Sequence, residues 1–325
     1  MSDSGDWLVC PHVLELLSRL DEAVRAAVAS SDPATREIGT HLISRGGKHL
    51  RPALLLLAAE FGRGEEEKLL WAAAALELIH VASLYHDDVM DRAMTRRGGA
   101  SANAVWGNSL ATTGGTLLFA CASVLLSSLG DEANKMASEA AARLCTGQLR
   151  EVENAYSVEL SEKEHLEILA LKTATLFELP CRLGAHLSGV AAGHPRMLLG
   201  YAQNLGLAFQ LADDALDLAG DVAQLGKATL NDVREGVYSF PVIHALQQDR
   251  TEAARLQALL RQDRLTESEL QDVVVIVQNT GAVAEGLRKA HEYAGRAQEH
   301  LRGIPEGTAR ESLQRLAEFA VSRSH

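Results

Sequence analysis

Leu76-Glu77-Leu78-Ile79-His80-Val81-Ala82-Ser83-Leu84-Tyr85-His86-Asp87-Asp88-Val89-Met90-Asp91 is a strongly helical stretch that ends in acid. On a helix, His80, Ser83, Asp87 and Asp91 are spaced 0, 3, 7 and 11, so they line one face, with Asp88 beside them. A second stretch, Gln210-Leu211-Ala212-Asp213-Asp214-Ala215-Leu216-Asp217-Leu218-Ala219-Gly220-Asp221, has spacings 0, 3, 4, 7 and 11 and makes another acidic stripe. Carboxylates one turn apart repel by roughly 3 kcal/mol at about 6 Å and an effective dielectric near 20. Within apolar helices such a stripe needs relief from solvent or cations. Apolar neighbours, Leu84 and Val89 in the first and Leu211, Ala212, Leu216 and Leu218 in the second, suit a cavity wall better than an outer surface. Hard divalent cations then relieve the repulsion, and Mg²⁺ in particular binds through one or two carboxylates while keeping positions for water and substrate phosphate.

Outward from these stripes the chain reads as all-α. Alanine and leucine dominate, aromatics are 4%, and apolar residues recur at three- and four-residue spacing over about 12–30, 52–91, 109–128, 131–156, 161–219 and 251–323. Pro52 lies near a helix start, Ser161-Glu162-Lys163-Glu164 reads as a capping box, and Gly193-His194-Pro195 separates two periodic stretches. Pro180 is expected to kink a long helix. The β-branched run Val273–Val277 is short and has no partner run to pair with, so it is assigned to a helix. From Arg97 to Asp131 no charged residue intervenes, but Thr112, Thr113, Gly114, Gly115, Thr116, Ser123, Ser127 and Ser128 dilute the segment. It reads as a helix buried on all sides rather than a membrane span.

With 325 residues, 47% of them apolar, the chain can bury a large core, and no Ser/Gly/Pro-rich linker divides it; a single domain over 1–325 is expected. A net charge of −12 argues against a nucleic-acid partner. Cys10, Cys121, Cys145 and Cys181 show no CxxC pairing, and the N-terminus has neither a basic region nor an apolar stretch after it, so a reducing cytoplasm is expected.

Against this acidic background stand basic clusters: Arg45-Gly46-Gly47-Lys48-His49-Leu50-Arg51-Pro52, then Arg96-Arg97-Gly98, Lys172-Thr173 and Gly226-Lys227. Beside two metal-binding stripes they suit a polyanion, arginine supplying a bidentate fork and lysine a point charge.

The order and spacing of Gly46-Gly47-Lys48-x-x-Arg51-Pro52, His80-x-x-Ser83-Leu84-x-His86-Asp87-Asp88-x-x-Asp91 with Arg96-Arg97-Gly98, Lys172-Thr173, and Phe209-Gln210-x-x-Asp213-Asp214-x-x-Asp217 resemble the trans-polyprenyl diphosphate synthases over about residues 40–245. The resemblance implies the all-α isoprenoid-synthase bundle around a deep central cavity, usually homodimeric, and head-to-tail elongation of an allylic diphosphate with isopentenyl diphosphate. It implies that Asp87, Asp91 and Asp213 ligate Mg²⁺ bridging to the allylic diphosphate, with Asp88, Asp214 and Asp217 close behind. By the same likeness Arg96, Lys172 and Lys227 face that diphosphate. Lys48, Arg51, His80 and Arg97 then form the pocket for the isopentenyl diphosphate, and Thr173 and Gln210 line the developing carbocation.

Three departures stand out. The family's usual Glu-Gly-Lys-x-Thr-Leu-Pro appears as Glu235-Gly236-Val237-Tyr238-Ser239-Phe240-Pro241, Gly115 stands where many relatives have aspartate, and His49 lies inside the first basic motif. They bear on substrate affinity more than on reaction class, since all six motif aspartates are present. Ala82 and Ser83, one turn before Asp87, are small where short-chain relatives typically place an aromatic floor, so a medium-to-long product is expected rather than farnesyl or geranylgeranyl diphosphate. A terpene cyclase would carry an Asn/Ser/Glu metal motif in place of the second Asp-Asp-x-x-Asp. A silent partner subunit would show eroded aspartates. A helical di-iron protein is the alternative from another class, since Glu77-x-x-His80 and Glu162-x-x-His165 repeat the Glu-x-x-His spacing, but it leaves the basic motifs unexplained, and Glu162 reads as a residue of a capped first turn.

Overall fold

The structure is a computed structural model that describes residues 6–29, 32–220, 232–248, 250–262 and 264–322. It is all-α apart from one two-stranded hairpin. Its contacts group into two compact units, each assembled from separated parts of the chain: Met1–Ala140, Leu176–Leu199 and Leu301–Leu316 in the first, Ala141–Thr175, Gly200–His300 and Ala317–His325 in the second.

The first unit is organised by α5 (Glu66–Met90). Its Ala72–Ala75 run has the highest helix propensity available, no glycine or proline interrupts it, and Glu66 and Glu67 in the first turn complement the helix dipole. Helix α4 (Leu50–Ala59) is buried from Pro52 to Ala59 and packs on α5, as do α2 (Leu20–Ala27) and α7 (Asn108–Ser128). The helices α1 (Pro11–Ser18), α3 (Pro33–Thr40) and α6 (Ala102–Trp106) fill the periphery, the last after a hairpin of β1 (Thr95–Arg96) and β2 (Gly99–Ala100). Close approach is achieved with glycine. A Cβ on Gly114 would sit 2.5 Å from Ile38 Cγ2, one on Gly115 2.7 Å from His86 Nε2, and one on Gly184 of α10 (Thr175–Ser188) 2.2 Å from the Leu55 carbonyl oxygen. Tyr85 is fully buried and donates to the Ile38 carbonyl at 2.6 Å.

The second unit contains α9 (Glu162–Leu169) and α12 (Phe240–Leu246), with α13 (Arg250–Leu260), α14 (Glu267–Asn279) and α15 (Ala282–His300) packed around a core of Val242, Ile243, Leu256, Leu270, Val274 and Val277. Helix α14 carries the β-branched Val273–Val277 run as helix, with Thr266 and Glu269 closing a full capping box. Helices α8 (Asp131–Glu153), α11 (His194–Leu216) and α16 (Thr308–Ser322) contribute residues to both units.

Two expectations need correction. Helix α7 is not buried on all sides: Ala111, Gly114, Gly115, Leu118, Ala122 and Leu126 form its buried stripe, while Leu110 and Val124 are exposed. A helix packed against its neighbours along one stripe leaves its outer face uncovered. The run 52–91 is two helices, interrupted where Arg63 N–H donates to the Ser188 carbonyl and Gly62 approaches the same carbonyl too closely for any side chain. The run 161–219 is divided before His194, as Gly193-His194-Pro195 leads one to expect; helix continues through Pro180, and a π-turn occupies Ala170–Ala174.

Substituting Gly184→Ala forces a methyl group into the Leu55 backbone and is expected to lower stability by about 1–3 kcal/mol, the usual range for overpacking. A drop in the urea unfolding midpoint with unchanged far-UV circular dichroism checks this.

Candidate active site

The first aspartate motif closes α5. The peptide N–H of Asp91 bonds back to the Asp87 carbonyl at 2.8 Å, and that of Ala93 to the Asp88 carbonyl at 2.9 Å, after which Arg92 takes positive φ and ends the helix. The chain then turns through Arg97 and Gly98, both at positive φ, the geometry a two-residue hairpin demands. Gly98 adopts it without strain, whereas Arg97 is held there by its own side chain. Its guanidinium donates to the Gly46 carbonyl at 2.6 Å, the Leu42 carbonyl at 3.2 Å and Glu77 at 3.3 Å.

The three aspartates divide their tasks. Asp87 is partly exposed and Asp91 exposed, while Asp88 has no exposed surface and takes two contacts from the Arg96 guanidinium, at 2.7 and 2.6 Å on one oxygen. Burial pushes the Asp88 carboxyl up, against the opposing effect of Arg96. Asp88 thus aims Arg96, and Asp87 and Asp91 present oxygens outward. His86 reaches across to the Thr112 carbonyl at 3.2 Å, lying on Gly115.

Behind them lies a buried charged cluster. Glu77 is 3% exposed, with Arg97 on one oxygen and His49 Nδ1 3.5 Å from the other. Burial opposes its ionisation, yet His49, His80 and Arg97 together hold it down at about 2. Arg51 and His80 keep part of their side chains open, but Arg51 Nε and His80 Nδ1 are inaccessible and have no hydrogen-bond partner. Burial lowers the Arg51 guanidinium to about 10 and, with Arg51 beside it, pushes His80 well below an ordinary histidine. Lys48 is exposed on the loop that Arg97 braces, and His49, at positive φ, opens α4. Of the sequence-predicted set, Arg51, His80 and Arg97 come from three segments and gather around one carboxylate, Glu77, whose structural part in the site sequence reasoning did not identify; Lys48 stands exposed beside them in the chain.

In the second unit the pattern recurs. Gln210 accepts from the Thr173 hydroxyl at 3.1 Å and donates to Asp214 at 2.9 Å. Asp214 also accepts from the Phe240 backbone at 3.4 Å and lies 3.6 Å from His165. The middle aspartate is again a brace, and Asp213 and Asp217 are partly exposed on either side of it along α11. Lys172 and Thr173 sit in the π-turn, a distortion frequent at functional sites. Lys172 donates to Glu151 at 2.5 Å, and Gly147 of α8 leaves room for the turn, since a Cβ there would lie 2.7 Å from the Lys172 nitrogen. Val237 follows Gly236, whose positive φ and contact with Tyr156 admit no side chain. Lys227 and Asp221 lie outside the described residues.

The Glu-x-x-His pairs are spent elsewhere. Glu77 serves Arg97 and His49, and Glu162, rather than merely belonging to a capped first turn, accepts from His244 at 2.6 Å and Lys289 at 3.1 Å; Glu164 closes the capping box. Among the described residues no three His, Cys, Asp or Glu side chains converge on a ready-made metal cage. Pairs of outward carboxylates one turn apart fit Mg²⁺, which needs few protein oxygens when phosphate supplies the rest.

Two aspartate stripes, each with its middle residue used as a brace, and arginines gathered beside the first give the all-α chain a charge pattern suited to a polyanion. Residues 32–277 match the polyprenyl synthetase family. The nonaprenyl diphosphate synthase of Mycobacterium tuberculosis is 34% identical over 99% of this chain and 96% of its own length. The octaprenyl diphosphate synthase of Escherichia coli is 31% identical over 94% and 95%. Among solved structures, the polyprenyl synthase from Caulobacter crescentus, complexed with calcium and isoprenyl diphosphate, superposes with a TM-score of 0.92 at 33% identity, covering 100% of this chain and 99% of that one. The chain belongs to the polyprenyl synthetase family; it has the isoprenoid-synthase fold and is a prenyltransferase, which overturns the di-iron reading.

Glu77 makes a pH prediction. Its carboxyl lies lower in the folded chain than the ordinary 4.5, so its stabilisation is complete above pH 4.5 and is lost as pH falls through about 2. In Glu77→Gln, acid unfolding followed by circular dichroism is expected to lose part of its steepness in that window, and the neutral-pH stability to fall by about 3 kcal/mol or more, the cost of stranding buried cations.

Proposed function

We propose that this protein condenses isopentenyl diphosphate with an allylic diphosphate to make a medium-to-long-chain polyprenyl diphosphate, using Mg²⁺. The observation that carries the reading is the gathering of Arg51, His80 and Arg97 around Glu77, beside a helix end that carries the more open Asp87 and Asp91. Guanidinium groups bind diphosphate oxygens through charge-assisted hydrogen bonds.

In this reading Lys48, Arg51, His80 and Arg97 hold the isopentenyl diphosphate. Asp87, Asp91 and Asp213, with Asp217 near, hold the Mg²⁺ of the allylic diphosphate, and Arg96, Lys172 and Lys227 add charge. Bound Mg²⁺ supplies Lewis-acid stabilisation of the departing diphosphate. Asp88 orients Arg96 and Asp214 orients Gln210, so the donors stand fixed before charge develops, which is where electrostatic catalysis gains most. Thr173 and Gln210 turn oxygens toward the allylic cation, which the isopentenyl double bond attacks; loss of a proton to the departing diphosphate completes the step. The family match across both units supports action as one domain. The outer apolar face of α7 with Leu110 and Val124, and Leu149 and Val152 on α8, supports a homodimer. The free cysteines support a cytoplasmic setting, where thiols stay reduced.

Labelled isopentenyl diphosphate, allylic primers and Mg²⁺ incubated with purified protein should give product, and Asp87→Asn or Asp213→Asn should reduce turnover by about a hundredfold or more with circular dichroism unchanged. Near-normal turnover in both would sink the metal assignment.

Chain length gives a second test. Ser83 is partly exposed on the face that carries Asp87, whereas Ala82 has no exposed surface. Ser83→Phe is therefore expected to shorten the products, read by chromatography of the dephosphorylated chains. Ala82→Phe overpacks a filled site and is expected to cost about 1–3 kcal/mol of stability as well as shorten them. A wild-type enzyme that stops at the fifteen-carbon farnesyl chain overturns the length argument.

A further inference from the structure

Glu77 lies beneath the basic motifs and touches two of their side chains, Arg97 and His49. It lies among Arg51, His80, Arg97 and His49, and it links its own helix to the hairpin and to the start of α4. Arg97 reaches it from the hairpin at 3.3 Å and His49 from the start of α4 at 3.5 Å. His49 itself is squeezed between two carboxylates, since its Nε2 lies 3.3 Å from Asp21 of α2. The charged groups facing His49 are thus Glu77 on α5, Asp21 on α2 and Arg97 on the hairpin, with Arg51 two residues on. Both His49 and Arg97 are held at positive φ, so the backbone that displays Lys48 is set by these contacts and not by local preference.

We infer that Glu77 and His49 form a positioning pair for the isopentenyl diphosphate pocket, and that protonation of His49 tightens it. With His49 charged, Glu77 is shared between two cations and the pocket carries one more positive charge toward a dianion; with His49 neutral, Glu77 draws on Arg97 alone. Burial opposes protonation of His49, but Glu77 and Asp21 outweigh it and hold the imidazole above an ordinary histidine. This rests on the reading of Lys48, Arg51, His80 and Arg97 as that pocket.

Steady-state kinetics of the full chain with isopentenyl diphosphate, an allylic primer and Mg²⁺ test it. Glu77→Gln should raise the KM for isopentenyl diphosphate about tenfold or more while moving kcat and the primer KM less than about threefold, and Glu77→Asp should recover part of the loss. Between about pH 6 and 8 the ratio of wild-type to His49→Gln KM for isopentenyl diphosphate should rise with pH, the substrate's own ionisation cancelling in the ratio. If Glu77→Gln does not fold, as a thermal melt would show, His49→Gln carries the test alone. A flat ratio, or a Glu77→Gln effect equal on both substrates, overturns the inference. Lys48→Ala separates the layers. A raised KM there, with a flat ratio for His49, removes the positioning pair and leaves the pocket; an unchanged KM removes both.

Discussion

Helix α5 has to be buried along most of its length and yet end in ionised groups, and much of the first unit answers to that constraint. A helix can be buried cheaply where it is Ala72–Ala75 and Leu78, but Glu77 and Asp88 cannot be sunk into the same surroundings unless each finds a partner. The partners come from outside the helix: Arg97 and His49 for Glu77, Arg96 for Asp88. Supplying them requires a tight hairpin immediately after the helix and a basic loop before α4, which is why Arg92, Arg97 and His49 accept backbone conformations that side chains ordinarily avoid.

The two aspartate motifs share one logic despite lying in different units. In each, the middle residue is used as a brace, Asp88 for Arg96 and Asp214 for Gln210; Asp88 is fully buried, whereas Asp214 is partly exposed like Asp213 and Asp217. Helical geometry makes this division natural: adjacent residues differ by about 100° in direction, so of two consecutive aspartates only one can face the open side fully. Doubling the aspartate therefore turns the two acids to different sides, and the second of them sets the geometry of its partner, Arg96 or Gln210.

Much of this was legible in the sequence because it depends on period. The helical assignment of Val273–Val277, the Ser161 capping box and the face shared by His80, Ser83, Asp87 and Asp91 all follow from spacing along a single element. What spacing cannot show is what one element requires of another. The uncovered face of α7 escaped notice because an apolar helix reads the same whether its outer side meets protein or not. The π-turn under Lys172 and Thr173 has no composition of its own; its visible trace is Gly147, twenty-five residues away, where α8 makes room for it. The hairpin had a local signal in Arg97-Gly98, overlooked because that pair was read for charge alone. Glu77 was read as a possible ligand, since a glutamate three residues before a histidine has the spacing of one, and only the three-dimensional neighbours show it to be a counter-charge.

The same reasoning bears on the departures from the family pattern. Gly115 lies against the ring of His86, with no room for even a methyl group unless the imidazole moves, and His86 is committed to the Thr112 carbonyl. An aspartate at this position would have to rotate His86 and then pair with it, placing another negative charge next to Asp87. Its absence leaves the Asp87 end of α5 less negative and the helices closer. Val237 is apolar where the family resemblance implies lysine, and it follows Gly236, whose positive φ and close approach to Tyr156 fix the course of the chain there. Each departure therefore acts within its own surroundings, Gly115 through His86 and Val237 through the side chain that follows a fixed turn.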